Sequence, residues 1–358
     1  MLSLVRRSLF NRCTKLCKSA TYSSFTIIEK PLITVTGFDG FLGPYTALEF
    51  LKDGKYHVRA TVRKNPDESK MAAIKQAYGK LFDKIDIVEA ELLEEGSMSA
   101  ALEGSTYVAH LASPYYLDNK TREELVRPAV QGTMEVLKAC TEHSVKKCVV
   151  TSSFACIRWT AREDLPPDGI FTEDYWSNPE RPEGMGDYAV SKTLAEREAW
   201  DYLATLKDPF DLVAICPVLL LGPGIGGANV VSEGFITSLL TDQEPEIKCA
   251  SNGYVDVRDV ARAHFLAIDN PEAKNRRYIL SGEEMTKHQI VEVLTQSFGG
   301  YGFQPGCEKL DDSAVGQISV DNSASREHLG VQYRPLKQTI IEMIDSLLAS
   351  GRIRKPSN

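Results

Sequence analysis

A doubly wound α/β fold built on a parallel sheet is predicted for this 358-residue chain, and three observations predict it. From residue 31 to residue 216, short runs rich in β-branched residues alternate with helix-length segments. A triad of spaced glycines stands between the first such run and the first helical segment. After residue 217 the alternation stops at a glycine-rich loop, where a smaller C-terminal lobe begins. Strands apolar on both faces and joined by helices assemble as right-handed βαβ units in a parallel sheet.

The first strand is LITVT (32–36), followed directly by Thr36-Gly37-Phe38-Asp39-Gly40-Phe41-Leu42-Gly43. Gly37 permits the tight turn, Gly40 lets the backbone approach a pyrophosphate, and Gly43 allows close helix–strand packing. The phosphates would sit on the N-terminus of a helix over 44–52, where unpaired N–H groups favour anions. An ordinary glycine turn is the plainer alternative, but the strand-to-helix position is what a Rossmann-type nucleotide site needs. The second strand, HVRATV (57–62), runs into Arg63 and Lys64. A site for NAD usually places a carboxylate there, about 20 residues past the glycines. Val62 and Arg63 stand in its place, with Lys70 shortly after, and a guanidinium suits the 2′-phosphate of NADPH. A solvated basic pair is the alternative.

A helix over 68–78, strands IDIV (85–88) and YVAHL (107–111), a helix over 128–143, strand CVVT (148–151), a helix over 188–206 and strand LVAIC (212–216) continue the alternation. In the lobe, RYIL (277–280) reads as a strand returning to the main sheet. The last helix, 335–350, carries Leu336, Ile340, Ile341, Ile344, Leu347 and Leu348 on one stripe. Gly351 reads as its C-cap, and the RIRKPSN tail is expected to fray. The organisation expected is a targeting segment over 1–28, a dinucleotide-binding domain over 29–216, and a mainly substrate-binding lobe over 217–358, with 277–281 rejoining the sheet.

Tyr188 and Lys192 stand four residues apart, so phenol and ammonium share a helix face. A nearby cation lowers a phenol's pKa toward working pH and makes it a usable proton donor. Chance pairs at this spacing are common. Ser153, just past strand CVVT, adds a hydroxyl that could bond the same substrate oxygen.

TGxxGxxG, the serine of TSS and YxxxK together resemble the extended short-chain dehydrogenase/reductases. VRATVR (58–63), HLASP (110–114), RPAVQGTMEVLKAC (127–140), DYAVSKTLAE (187–196), CPVLLLGP (216–223), YVDVRDVARAH (254–264) and SREHLG (325–330) are similar to the dihydroflavonol 4-reductase-like branch. That branch includes cinnamoyl-CoA, anthocyanidin and yeast-type methylglyoxal/ketone reductases, and the resemblance runs from about residue 31 to 349. It implies that Tyr188 is the general acid, Ser153 orients the carbonyl, and Lys192 tunes Tyr188 and holds the nicotinamide ribose. It implies contacts to the cofactor, NADP(H), from Gly37, Gly40, Phe41 and Gly43, and from Arg63 and Lys70 at the 2′-phosphate. Glu91-Leu92 stands where an Asp-Leu is usual beside the adenine. Leu111, Ala112 and Ser113 would line the cofactor, Pro217, Val218, Leu219 and Leu220 the nicotinamide, and Ser232 would add a later polar contact. The implied reaction is pro-S hydride transfer from NADPH to a ketone or aldehyde, by a monomer or homodimer. An NAD-dependent epimerase/dehydratase or a 3β-hydroxysteroid-dehydrogenase-like enzyme would use the same triad, but Val62 and Arg63 speak against it. A non-catalytic NADPH-binding scaffold or sensor is the rival from another class, and the intact Ser153, Tyr188 and Lys192 speak against that.

Composition narrows the rest. With 49 acidic and 41 basic residues the chain lacks the positive balance of general nucleic-acid binders. It has no run of roughly 18 apolar residues to span a bilayer. Residues 1–28 hold five basic and no acidic residues and read as a mitochondrial import segment, with a cytoplasmic location as the alternative. Eight scattered cysteines form no CxxC, and six histidines no metal-ligand spacing, so free thiols and no metal are expected. His110, Asp256 and Asp259 read as structural. Trp159, Trp176, Tyr115, Tyr116 and Phe154 are candidate pocket walls or core packing.

Overall fold

The computed structural model describes residues 30–113, 121–160, 165–180, 185–225, 231–241, 253–306 and 319–356. The basic N-terminal segment, Tyr115, Tyr116 and most of the glycine-rich loop after Gly222 lie outside these residues. In chain order the first half runs β1 (Leu32–Thr36), α1 (Leu42–Asp53), β2 (His57–Val62), α2 (Glu68–Tyr78), β3 (Ile85–Glu89), α3 (Ser97–Leu102), β4 (Tyr107–His110), α4 (Arg122–Glu142), β5 (Lys147–Thr151), β6 (Ile170–Phe171), α5 (Asp187–Thr205) and β7 (Asp211–Pro217). The second half runs β8 (Leu219–Leu221), α6 (Val231–Leu240), β9 (Gly253–Asp256), α7 (Val257–Asp269), β10 (Arg276–Leu280), β11 (Glu283–Glu284), α8 (Lys287–Phe298), β12 (Ser319–Val320) and α9 (Leu336–Ala349). Among the described residues no helix is long and apolar enough to cross a membrane.

Seven strands form one sheet in the order β10-β7-β5-β4-β1-β2-β3, all neighbours parallel. The chain builds outward from β1 through β2 to β3, then crosses back to lay β4 on the other side. Beyond the carboxyl ends of β1 and β4 the topology switches, and a crevice opens there. Thr36 braces it: the amides of Leu111 and Ala112 each donate to its Oγ1 at 3.0 Å. Its own hydroxyl proton goes to His110 Nδ1 at 2.9 Å. Burial, reinforced by the charge of Lys192, pulls the His110 pKa down to about 3, so this ring is neutral and structural.

Ile33, Val35, Val108, Val149, Ile215 and Tyr278 belong to the core around this sheet. A second core gathers Phe235, Tyr254, Leu294, Phe298, Ile340 and Ile344 around the small β11-β9-β8 sheet. Asp256 caps α7 through the Arg258 amide and also accepts from Thr339 of α9. Asp259 pairs with Arg334. Both carboxylates hold the lobe together.

Three local expectations change. Helix α4 begins at Arg122, not 128, because Thr121 and Glu124 form a capping box upstream of the apolar run, and Pro128 is carried inside the helix. Helix α9 is capped at Ser350, and Gly351 takes the next position at φ +71°. The Arg352 amide then donates to Leu347 and the Gly351 amide to Leu348, a Schellman turn that reverses the chain. Consequently the tail does not fray at Arg352: that side chain pairs with Glu233, and Lys355 sits 3.8 Å over the Tyr301 ring.

Candidate active site

The glycine turn is shaped by sterics. A Cβ on Gly37 would lie 2.9 Å from the Ala112 backbone, and one on Gly43 would collide with the Gly37 carbonyl. Only hydrogen fits at either position, so the turn lies tight against the residues that follow β4. Phe41 precedes helix α1 as an N-cap whose side chain makes no cap bond, and the first turn holds no acidic residue, which leaves the helix N–H groups for an anion.

Beside this turn lies a cavity of about 630 Å³ bounded by Asp39, Arg63, Lys70, Glu91 and Arg352. Arg63 reaches Asp39 at 3.4 Å, yet its side chain remains 68% exposed. Glu91 accepts from the Lys64 amide at 2.8 Å, which fixes the loop after β2, while Leu92 packs against Gly132 of α4. Asp67 caps α2 by accepting from the amides of Ser69 and Lys70. Partial burial lowers the Lys70 pKa; Arg63 pushes the same way and Asp39 opposes. A dianion entering the cavity would relieve that repulsion.

The other end of the crevice is dry. Ser153 follows β5 and is buried, its Oγ accepting from the Ala155 amide at 3.1 Å. Lys192 of α5 is also buried and donates from Nζ to the Thr151 carbonyl at 3.2 Å. Its pKa is lowered by desolvation, with Cys156 and Glu196 pulling it back up. Tyr188, half-buried, precedes Lys192 by one helical turn on the same face.

One turn beyond Lys192 is a group the sequence reading passed over. Glu196, with 1% of its side chain exposed, accepts from Arg277 Nε at 2.7 Å. It also accepts from the Ser152 hydroxyl. Arg277 in turn donates to the carbonyls of Glu173 and Tyr175 at 2.7 Å and lies 3.8 Å over the Trp176 ring. Ser152 and Lys192 flank the two residues of interest, so one buried carboxylate ties α5, the end of β5 and β10 into a single frame. Cys156 and Cys216 sit in the same pocket; burial pushes the Cys156 thiol up to about 12, and both thiols stay protonated. The spacing 188/192/196 on one helix was the available signal.

The remaining expected contacts lie on several elements. Leu111, Ala112 and Ser113 follow β4. Pro217 ends β7, and the Val218 amide donates to the Leu280 carbonyl at 3.0 Å. Leu219 and Leu220, in β8, are half-buried. Ser232 is buried in the first turn of α6, and among the described residues its Oγ has no hydrogen-bond partner. An orphaned buried hydroxyl calls for an outside partner. With the glycine cradle and the cations beside β2, it fits a phosphorylated dinucleotide. Phe154 and Trp176 pack internally, against Phe171 and Arg277.

Comparison with known proteins extends this picture. Residues 33–281 match the family model described as NAD dependent epimerase/dehydratase. The chain is 32% identical over 331 residues to cinnamoyl-CoA reductase 1 of Petunia hybrida, covering 92% of this chain and 96% of that one. It is 31% identical over 327 residues to tetraketide alpha-pyrone reductase 1 of Arabidopsis thaliana, covering 90% and 97%. The crystal structure of Gre2 from Candida albicans in complex with NADPH superposes with a TM-score of 0.73 at 29% identity, over 89% of this chain and 99% of that one. Fold, motifs and full-length similarity agree: the chain belongs to the NAD dependent epimerase/dehydratase family, the extended short-chain dehydrogenase/reductases, in their dihydroflavonol 4-reductase-like branch.

Proposed function

We propose that this protein is an NADPH-dependent carbonyl reductase that converts a ketone or aldehyde to the alcohol. Its relatives are oxidoreductases by name, and the Gre2 structure holds NADPH. The observation that carries the reading is the pairing of two unlike sites along one crevice. A cation-bearing cavity stands beside β2, and a desolvated Ser153–Lys192 pair stands beyond β5.

The glycine turn with Arg63 and Lys70 would hold NADPH, which when bound would supply a hydride, from the pro-S face that the family resemblance implies, for the carbonyl carbon. Tyr188 gives its phenolic proton to the carbonyl oxygen as negative charge develops there. Ser153 donates a hydrogen bond to the same oxygen, in a dry site where such a bond is strong. Lys192 places its ammonium one turn from Tyr188 on the same helix face and holds the nicotinamide ribose. Arg63 and Lys70 receive the 2′-phosphate, and Ser232 supplies its unused hydroxyl.

The test is a panel of aldehydes, α-dicarbonyls, flavanonols and CoA thioesters offered with NADPH and with NADH, followed at 340 nm. Consumption of NADPH in preference to NADH with at least one carbonyl is expected. With NADPH deuterated on its pro-S face, the alcohol should carry the label. Tight NADPH binding without turnover of any member would instead support a sensor or scaffold.

A further inference from the structure

The C-terminal tail reaches the nucleotide cavity, and nothing in the glycine turn or the catalytic triad requires it to. The Schellman turn at Gly351 reverses the chain after α9, and Ile353 packs on the second core. Arg352 is thereby swung back to face α6. Its Nε lies 2.9 Å from both carboxylate oxygens of Glu233, and its Nη2 lies 2.9 Å from one of them. Glu233 is 14% exposed and follows Ser232 directly. The pair therefore fixes the guanidinium before any ligand arrives, which reduces the entropy lost on binding. Arg352 also lines the cavity that Arg63 and Lys70 line.

The carboxylates of the cavity are already engaged. Asp39 meets Arg63, Asp67 caps α2, and Glu91 holds the Lys64 amide. The lining carries four cations, Arg63, Lys64, Lys70 and Arg352, against three carboxylates, Asp39, Asp67 and Glu91, a balance that favours an anion. We infer that Arg352 is a third cation for the 2′-phosphate of the cofactor, supplied by the tail and held in place by Glu233. Phosphate selectivity is then assembled from two remote segments, the loop after β2 and the end of the chain. The inference deepens the NADPH reading and rests on it.

Calorimetry on the full chain without cofactor separates the possibilities, with 2′,5′-ADP and 5′-AMP as probes. The Arg352→Gln variant should bind 2′,5′-ADP about tenfold more weakly, as loss of one charge-assisted hydrogen bond implies. Its affinity for 5′-AMP should stay within about twofold. Glu233→Gln keeps the cation and loosens its hold, so its loss for 2′,5′-ADP should be smaller than that of Arg352→Gln. The inference is overturned if Arg352→Gln leaves 2′,5′-ADP binding intact, or weakens both probes alike. It is overturned equally if Glu233→Gln costs as much as Arg352→Gln, because the tail would then act only by packing. An unmodified protein that failed to prefer 2′,5′-ADP over 5′-AMP would refute the NADPH reading itself, a separate and recognisable result.

Discussion

The two ends of the crevice follow opposite physical rules. Beside β2, Arg63 stands in water, loosely paired with Asp39, and Lys70 and Arg352 line the same cavity. Exposed pairs of this kind contribute roughly 0–1 kcal/mol to stability, so the residues there can be chosen for the ligand. At the reacting end, Lys192, Glu196 and Arg277 are buried and mutually dependent. Removing one partner of such a set leaves an uncompensated charge. Specificity for the cofactor can thus change with little effect on the fold, whereas the catalytic frame and the fold are one structure.

The sharpest break in that contrast would come from Tyr188→Phe, which keeps the ring and removes the proton donor. Turnover should fall by about 10²–10⁴-fold, while NADPH affinity, read by fluorescence titration, barely moves. Retained turnover would mean the chemistry lies elsewhere. The next effect is on stability: Glu196→Leu should lower the unfolding free energy by about 3–5 kcal/mol, because Arg277 is left buried and unpaired. Adding Arg277→Leu should recover much of the loss in urea melts, and additive losses would show that the two do not act as a pair.

Acid should probe the buried side as well. His110 and His264 have pKa values drawn down to about 3 and about 4 by burial, against about 6.5 when unfolded. The unfolded chain therefore binds protons that the native state refuses. Stability is full above about pH 6.5 and falls as pH drops toward 4, by about 2 kcal/mol per ring at pH 5. His110→Gln should remove about half of that slope between pH 7.5 and 5, and an unchanged slope would refute the assignment. The smallest effect belongs to the exposed end. Arg63→Ser should weaken NADPH about tenfold, or roughly 1.4 kcal/mol, with unfolding unchanged within about 0.5 kcal/mol.

What was legible in the sequence follows the same division. The strands declared themselves through apolar runs, and the turn at Gly37–Gly43 through spacing that only a close backbone approach requires. Tyr188 and Lys192 could be paired because they are local on one helix. Glu196 and Arg277 could not, since their partnership spans 81 residues and no periodicity reports it. Arg352 was hidden for another reason. A charged tail after glycine looks like an unravelled end, yet the left-handed Gly351 turns it back onto the protein.

The return of β10 to the sheet bears on how this protein can be dissected. The lobe leaves the sheet at the end of β7, and β10 then comes back to lie along β7 itself. A fragment stopped at residue 216 would strip that neighbour away. The apolar β7 would become a bare edge with unpaired amides and carbonyls, an invitation to aggregation. Glu196 would meanwhile lose Arg277. A soluble nucleotide-binding fragment must therefore keep β10 and also α7, the crossover that returns the chain along the sheet to the start of that parallel strand and packs on the main core.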